Sequence, residues 1–220
     1  MPSRSPFLLS AVDTDIQVEF SQGNTGDTGT ALNSTVVSLS STAQQEQFIL
    51  AFGGGRDMEN DLEFNTSNVY ELSSFGQPTP VEGADYRITL NTMLAGIVDT
   101  STSCGVQAGS ADDGMVLAIV AIDNGYDVET DTTDIGATVS ISNVTTSDLI
   151  FIWETYTHSN TGNSAPSLPS GFTNVGSGTF MTGRGNNIYE ASYRLSYKEN
   201  ASGTVSHTAQ SSGTNNINAG

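Results

Sequence analysis

The sequence predicts an all-β protein, an antiparallel β-sandwich of jelly-roll type with about 10–12 short strands. Three observations carry this prediction. Short apolar runs recur along the chain, and several alternate with polar residues as in a sheet with one wet face. Turn-forming segments such as "GNTGDTG", "SADDG" and "DNG" separate the runs. Helix patterns are nearly absent, since the best candidate, "STAQQEQFILAF" at 41–52, has contiguous apolar residues instead of residues three or four apart.

Twelve segments have strand character. In chain order they are 15–20, 34–40, 47–52, 67–73, 87–99, 104–109, 115–123, 137–144, 148–156, 171–177, 188–197 and 203–209. The run "MVLAIVAID" at 115–123 does not alternate, which predicts a strand buried on both faces. The three glycines after "FILAF" favour a bulged turn or a close backbone approach over a phosphate loop, because the acidic segment that follows would repel an anion.

The strand at 148–156 contains the chain's one tryptophan. A period of two puts Ile150, Ile152 and Glu154 on one face. It puts the alternate residues on the other face, namely Leu149, Phe151, Trp153 and Thr155. Pro166 cannot donate to a ladder, so the segment that follows the strand is predicted to connect two strands and to offer contact surface at most.

The predicted domains are an N-terminal arm at 1–14 and a sandwich at 15–220. A weak internal similarity divides the sandwich into possible half-units at 34–123 and 137–220. Chance similarity between β segments is the alternative. The second half-unit has no evident partner for 115–123. We therefore expect its last strand to come from the N-terminal "AVDTDIQVEF" or from a neighbouring subunit.

The charge of the chain excludes some partners. It has 24 Asp and Glu against 6 Lys and Arg, for a formal net charge of −18. Such a chain repels nucleic acid and anionic membranes, so neither is an expected partner. High acid content with one Lys also fits adaptation to concentrated salt, and an ordinary host with an acidic exterior protein is the alternative.

Cysteine content and the lack of a signal-peptide pattern indicate in which compartment the protein is expected to be made. Cys104 is the single cysteine, so no intrachain disulfide forms, and a small buried hydrophobe is its predicted role. No apolar run approaches the ~20 residues of a membrane helix. The apolar patch Phe7–Val12 is shorter than the ~7–15 residues of a signal-peptide core. A protein made in a cytoplasm but facing the outside has these properties, as virion proteins do.

An acidic segment at 123–136 is the strongest candidate for a metal site. Asp127, Glu129 and Asp131 recur at every second residue, and Asp123 and Asp134 lie close in sequence. Carboxylates in such a loop suit Ca²⁺, although the EF-hand pattern fails. A solvated acidic loop is the alternative, and no other cofactor is predicted.

Catalytic signals are lacking in the sequence. His158 and His207 have no ligand-type partner at metal-site spacing, and structural roles are expected for both. No G-x-S-x-G elbow and no phosphate-binding G-K pair occurs. The sequence therefore predicts a protein that is not an enzyme.

The last third of the chain resembles a recurring segment in structural proteins of tailed phages and related viruses. The segments that carry the resemblance are "DLIFIW" (148–153), "LPSGFT" (168–173), "YEASYRLSY" (189–197) and "SGTVSHTA" (202–209). Phe172 stands where those proteins often have Trp. The resemblance implies a β-sandwich in an exposed part of a virion, and it brings no catalytic residues.

These observations lead to a capsid decoration (cement) protein as the expected function. It would be made in the host cytoplasm, bind major capsid subunits on the outer surface of the virion, and insert Phe7, Leu8 and Leu9 of its arm into a partner groove. A homo-oligomer is expected, and a trimer by analogy with decoration proteins.

The alternative function is a host-recognition module on a tail or spike that binds surface carbohydrate. Its candidate ring-stacking residues are Trp153, Tyr156, Tyr189, Tyr193 and Tyr197. The last three are four apart and share a face with Leu195, which favours a place in the core or at an interface.

Overall fold

A computed structural model describes residues 17–23, 36–55, 62–76, 90–108, 115–123, 131–133, 138–157, 164–184, 187–208 and 214–219. These residues form fifteen strands. The strands are β1 (Gln17–Gly23), β2 (Val36–Ser38), β3 (Phe48–Gly55), β4 (Leu62–Phe64), β5 (Val69–Gly76), β6 (Leu90–Val98), β7 (Gly105–Ala108), β8 (Met115–Ile122), β9 (Asp131–Thr133), β10 (Thr138–Val144), β11 (Ile150–Thr157), β12 (Thr173–Arg184), β13 (Asn187–Lys198), β14 (Gly203–Thr208) and β15 (Thr214–Ala219).

The all-β, antiparallel, sandwich-like fold predicted from the sequence is confirmed. Each of the twelve predicted segments overlaps a strand. The structure adds β4, β9 and β15, so the described strands outnumber the predicted total. Two of the added strands are three residues long, and β15 is rich in Asn, a residue depleted in strands.

The strands form four sheets. The first large sheet has the order β1-β8-β3-β6-β5, and the first small sheet has the order β2-β7-β4. The second large sheet has the order β12-β13-β11-β15-β9, and the second small sheet pairs β10 with β14. Every pairing is antiparallel, so each sheet is assembled from hairpins and longer returns of the chain.

Three apolar cores lie between these sheets and stack them as four layers. The first core packs the first small sheet on the first large sheet, with Leu117 and Val106 among its residues. The central core joins the two large sheets through Phe52 and Trp153. The third core packs the second small sheet on the second large sheet, with Ile152 as a member. The molecule is therefore two sandwiches stacked through their large sheets.

This stacking explains the uninterrupted apolar run of β8. Its residues from Val116 to Ala121 are fully buried, alternately in the first core and in the central core. The predicted burial on both faces is confirmed, because the first large sheet is an inner layer. Likewise Phe151 and Trp153 of β11 enter the central core while Ile150 and Ile152 enter the third, as the period of two predicted.

The two large sheets have the same strand order. In that order, β1, β8, β3, β6 and β5 of the first correspond to β9, β15, β11, β13 and β12 of the second. The equivalent edge strands even share a β-bulge: Leu72 of β5 is the extra residue opposite β6, and Val175 of β12 is the extra residue opposite β13. Across the central core β1 and β8 contact β12, and β6 contacts β11 and β15, so the two orders run in opposite directions.

The predicted boundaries of the arm and half-units stay predictions.

One expectation about the last strand is wrong. The chain supplies its own partner for β11, because β15 pairs with β11 as β8 pairs with β3. The N-terminal segment does not fill that place, since β1 pairs with β8. The segment "TNNINA" was not predicted as a strand, because its strand conformation depends on main-chain pairing rather than on apolar side chains.

The expectation of a bulge at the three glycines is also wrong. Gly53, Gly54 and Gly55 continue β3 in regular register between β6 and β8. The other expectation, a close approach to the backbone, fits Gly53, whose carbonyl oxygen accepts a hydrogen bond from Trp153 Nε1 at 3.1 Å.

Candidate functional site

The two sandwiches differ most at one pair of equivalent inner positions. The shared bulge aligns Leu94 of β6 with Arg194 of β13, and pairing across the sheets then aligns Ala51 of β3 with Glu154 of β11. Ala51 and Leu94 are buried members of the first core. The same places in the second sandwich hold two residues of opposite charge, Glu154 and Arg194, which face each other across neighbouring strands. Two apolar side chains in one half thus correspond to two oppositely charged side chains in the other.

Glu154 is the buried centre of this site. Its side chain is 2% exposed, and its Oε2 atom accepts a hydrogen bond from Nε2 of His207 at 3.2 Å. His207 belongs to β14 and is 17% exposed, so the contact links the second large sheet to the second small sheet. The structural role expected for His207 follows from this contact.

Arg194 extends the site toward the β11–β12 connection. Its Nε atom donates to the carbonyl oxygen of Pro166 at 2.6 Å, and Nη1 donates to Oδ1 of Asn174. Burial lowers the pKa of the Arg194 guanidinium, and the nearby Glu154 carboxylate raises it in part. The planar guanidinium therefore links β13, which carries Arg194, to β12 and to the β11–β12 connection.

Small polar side chains line the same face of β13. Ser192 and Ser196 flank Arg194 at alternate positions and are fully buried. Within the described part of the chain, Ser196 Oγ is buried without a hydrogen-bond partner. Its equivalent in the first sandwich is Gly96, over which the ring of Phe64 lies.

The arrangement acts chemically as an ionic clasp, a term we use for Glu154, Arg194 and His207. A buried ion pair seldom adds net stability over apolar packing, because desolvation offsets most of the attraction. It does discriminate strongly between registers, since any slip that separates the charges leaves one buried and unpaired. The clasp thus fixes β14 and the β11–β12 connection in one position on the second large sheet.

The residues of the predicted metal site are mostly beyond what the structure describes. Asp127, Glu129 and Asp134 lie outside the described residues, and Asp131 begins β9. Asp123 Oδ1 accepts a hydrogen bond from Gln47 Nε2 at 2.7 Å. Among the described residues there is no group of three metal-ligating side chains. The Ca²⁺ site stays a prediction.

The predicted partner-binding residues Phe7, Leu8 and Leu9 also lie outside the described residues, as does His158. Cys104 is described and fully buried in the first core. Burial raises the pKa of its thiol to about 11, so the sulfur stays protonated and acts as a small hydrophobe, as predicted.

Most aromatic residues considered for carbohydrate stacking contribute to packing instead. Trp153 is fully buried, Tyr193 is 5% exposed, and Tyr197 is half-buried against the central core. The side chains of Tyr156 and Tyr189 are outside the described set. Tyr70 of the edge strand β5 is the aromatic residue that the described surface exposes most, at 69%.

The sequence contained a signal for the clasp that the prediction left unused. Glu154 shares a face with Ile150 and Ile152, and an acid at an inward position requires a buried partner. The sequence could not identify that partner, because His207 lies 53 residues away along the chain.

No protein-family model, curated protein or solved structure matches the chain. In the part of the chain that is described, no helix has the length and hydrophobicity to cross a membrane.

Proposed function

We propose that this protein is a virion structural protein, most specifically a capsid decoration protein that coats the head by binding major capsid subunits. Its role is mechanical, with no catalytic step. It is made in the host cytoplasm and works on the outer surface of the particle as a homo-oligomer.

The observation that carries the proposal is the position of the virion-like segment in the fold. Residues 148–153, 168–173, 189–197 and 202–209 contribute to β11, the start of β12, β13 and β14. β12, β13 and β11 are neighbours in the second large sheet and β14 belongs to the second small sheet, so the resemblance falls within one structural unit. The large sheet of the first sandwich has the same strand order, so we assign the first sandwich to the same class of structural protein.

The clasp supports a mechanical role. Its described contacts join β14, the β11–β12 connection and the large sheet, and they stiffen the unit that carries the resemblance. The net charge of −18 is suited to an outward surface and disfavours contact with packaged nucleic acid.

Labelling of virus particles tests this proposal. Antibodies raised against the purified chain are expected to decorate the heads of particles from the source culture, with copies per particle in the hundreds. Recombinant protein should also sediment with particles stripped of it. Label confined to tails, or absent from particles, would refute decoration.

The carbohydrate-binding alternative now depends on Tyr70, because it is well exposed on an edge strand next to Glu71. A glycan array and an adsorption assay with wild type and Tyr70→Ala separate the two functions. Decoration predicts that neither protein binds glycans or inhibits adsorption, whereas recognition predicts inhibition that Tyr70→Ala removes.

A further inference from the structure

Among the described residues, the second small sheet has one strand fewer than the first small sheet. In the first small sheet β7 is central, with β2 on one side and β4 on the other. Its equivalent β14 pairs with β10, and the described residues provide no backbone partner for its second edge. The first sandwich thus shows that this edge position accepts an antiparallel strand, with Leu62↔Ala108 and Phe64↔Val106 as the observed pairing.

In the second sandwich the β11–β12 connection lies over β13, as β4 lies over β6 in the first sandwich. Pro166 and Pro169 of the β11–β12 connection are buried, and Arg194 holds the carbonyl of Pro166 over β13. Prolines lack the N–H that a ladder requires, so at these two positions the connection fills space without pairing with β14. A strand added at this edge is therefore held by main-chain hydrogen bonds to β14 and by contacts between outward-facing side chains. It does not need apolar side chains that insert into the third core.

The chemistry of β14 favours its own copy as that strand. Neither "GTVSHT" of β14 nor "TVSISNV" of β10 contains an Asp, Glu, Lys or Arg, in a chain whose net charge is −18. Elsewhere two copies repel each other, whereas at this edge no like charges meet. The edge also lacks Pro and Lys, which commonly protect edge strands from pairing.

The outer face of this sheet already carries a Ser/Thr ladder. Thr138 Oγ1 and Thr208 Oγ1 are 2.7 Å apart, and Ser140 is the register partner of Ser206. Antiparallel pairing of β14 with a second β14 continues this ladder across a two-fold axis. Because side chains alternate, only registers that keep both outer faces together are allowed, so Ser206 faces Thr204, Ser206 or Thr208 of the second copy.

From these observations we infer that two copies of this chain associate edge to edge through β14, forming a continuous four-stranded sheet β10-β14-β14-β10 with two-fold symmetry. The single-strand contact is small, so the association is weak in dilute solution and strengthens where copies are concentrated side by side. The inference gives the proposed homo-oligomer the form of a dimer, and it is independent of the proposed binding to capsid subunits, which concerns a different partner.

Sedimentation analysis of the intact chain tests the inference. Wild type is expected to form a species of twice 23.0 kDa that grows with protein concentration and with added salt, since salt screens repulsion between acidic bodies. A monomer at the highest soluble concentration overturns the inference, and so does a trimer, because edge pairing is closed at two.

Charge variants at the edge make the test specific. Ser206→Asp and Ser206→Lys are each expected to weaken the dimer about tenfold, and an equimolar mixture of the two to restore it, because opposite charges then face each other. Ser140→Asp puts the same charge one strand further from the axis and is expected to dimerise as wild type does.

Circular dichroism verifies that each variant is folded. If a Ser206 variant fails to fold, Thr204→Asp and Thr204→Lys repeat the test at an exposed neighbouring position. Dimers that persist in both single variants, or a mixture that stays monomeric, would overturn edge pairing.

Discussion

Trp153 of β11 donates its indole N–H to the carbonyl oxygen of Gly53 on β3 over 3.1 Å, and this bond joins the central strands of the two large sheets. The indole ring is fully buried and packs against Phe52 and Tyr193, with ring centroids 6.0 Å and 5.8 Å away. The contact sits in the core that holds the two sandwiches together.

We expect Trp153→Phe to destabilise the whole chain. The change leaves the Gly53 carbonyl without its indole donor and removes ring volume from the central core, at a cost of about 2–4 kcal/mol. Urea denaturation followed by circular dichroism measures the loss, since the variant has no tryptophan fluorescence. Tyr70→Phe at the exposed edge is the matched control and should unfold as wild type does; an equal loss in both would contradict the account.

The ionic clasp is testable with residues taken from the first sandwich. Arg194→Leu and Glu154→Ala install the residues of the equivalent positions, Leu94 and Ala51. Arg194→Leu is expected to cost about 2–4 kcal/mol, because the buried Glu154 loses the opposite charge on the neighbouring strand and the Pro166 carbonyl loses its donor. The double variant should lose less than the sum of the two single variants, with a coupling of about 1–3 kcal/mol in a double-mutant cycle. Strict additivity would show that the two charges do not interact.

Alanine substitutions at two equivalent positions, Gly96 of β6 and Ser196 of β13, should have different effects on the free energy of unfolding. A Cβ at Gly96 would lie 2.7 Å from both Phe64 Cε2 and Val69 Cγ1, so Gly96→Ala overpacks the first core and costs about 1–3 kcal/mol. Ser196→Ala removes a buried hydroxyl that has no partner among the described residues, and it should be neutral or stabilise by up to about 1 kcal/mol. Chemical denaturation of both variants and of wild type measures these effects. A loss of stability in Ser196→Ala similar to that in Gly96→Ala would contradict the prediction.

Cys104 predicts an alkaline dependence of stability. Burial raises the pKa of its thiol from 9.0 to about 11, so between these values the unfolded chain loses a proton that the native chain keeps. The free energy of unfolding contributed by this group is complete below pH 9.0 and falls toward pH 11, by about 1.4 kcal/mol per pH unit. Urea denaturation of wild type and Cys104→Ala over this range should give a difference that changes with pH. Curves that stay parallel would indicate that the thiol ionises equally in both states.

The local pattern of apolar and polar residues predicted much of the fold, but it did not predict every strand. The alternation in β11 and the unbroken apolar run of β8 reveal which faces are buried, because side-chain period is a property of a few adjacent residues. β4, β9 and β15 escaped prediction, since three residues show no period and "TNNINA" has little strand propensity. These strands exist because neighbouring strands offer unpaired main-chain groups.

The amino-acid sequence by itself determined the all-β class, the approximate positions of twelve strands, the inward faces of β8 and β11, and the net negative charge. Tertiary structure decided that two sandwiches stack as four layers, that β15 pairs with β11, and that Glu154 lies opposite Arg194 and contacts His207. The physical reason is range: periodicity and propensity act over adjacent residues, whereas sheet order and the partner of a buried charge depend on strands that only folding brings together.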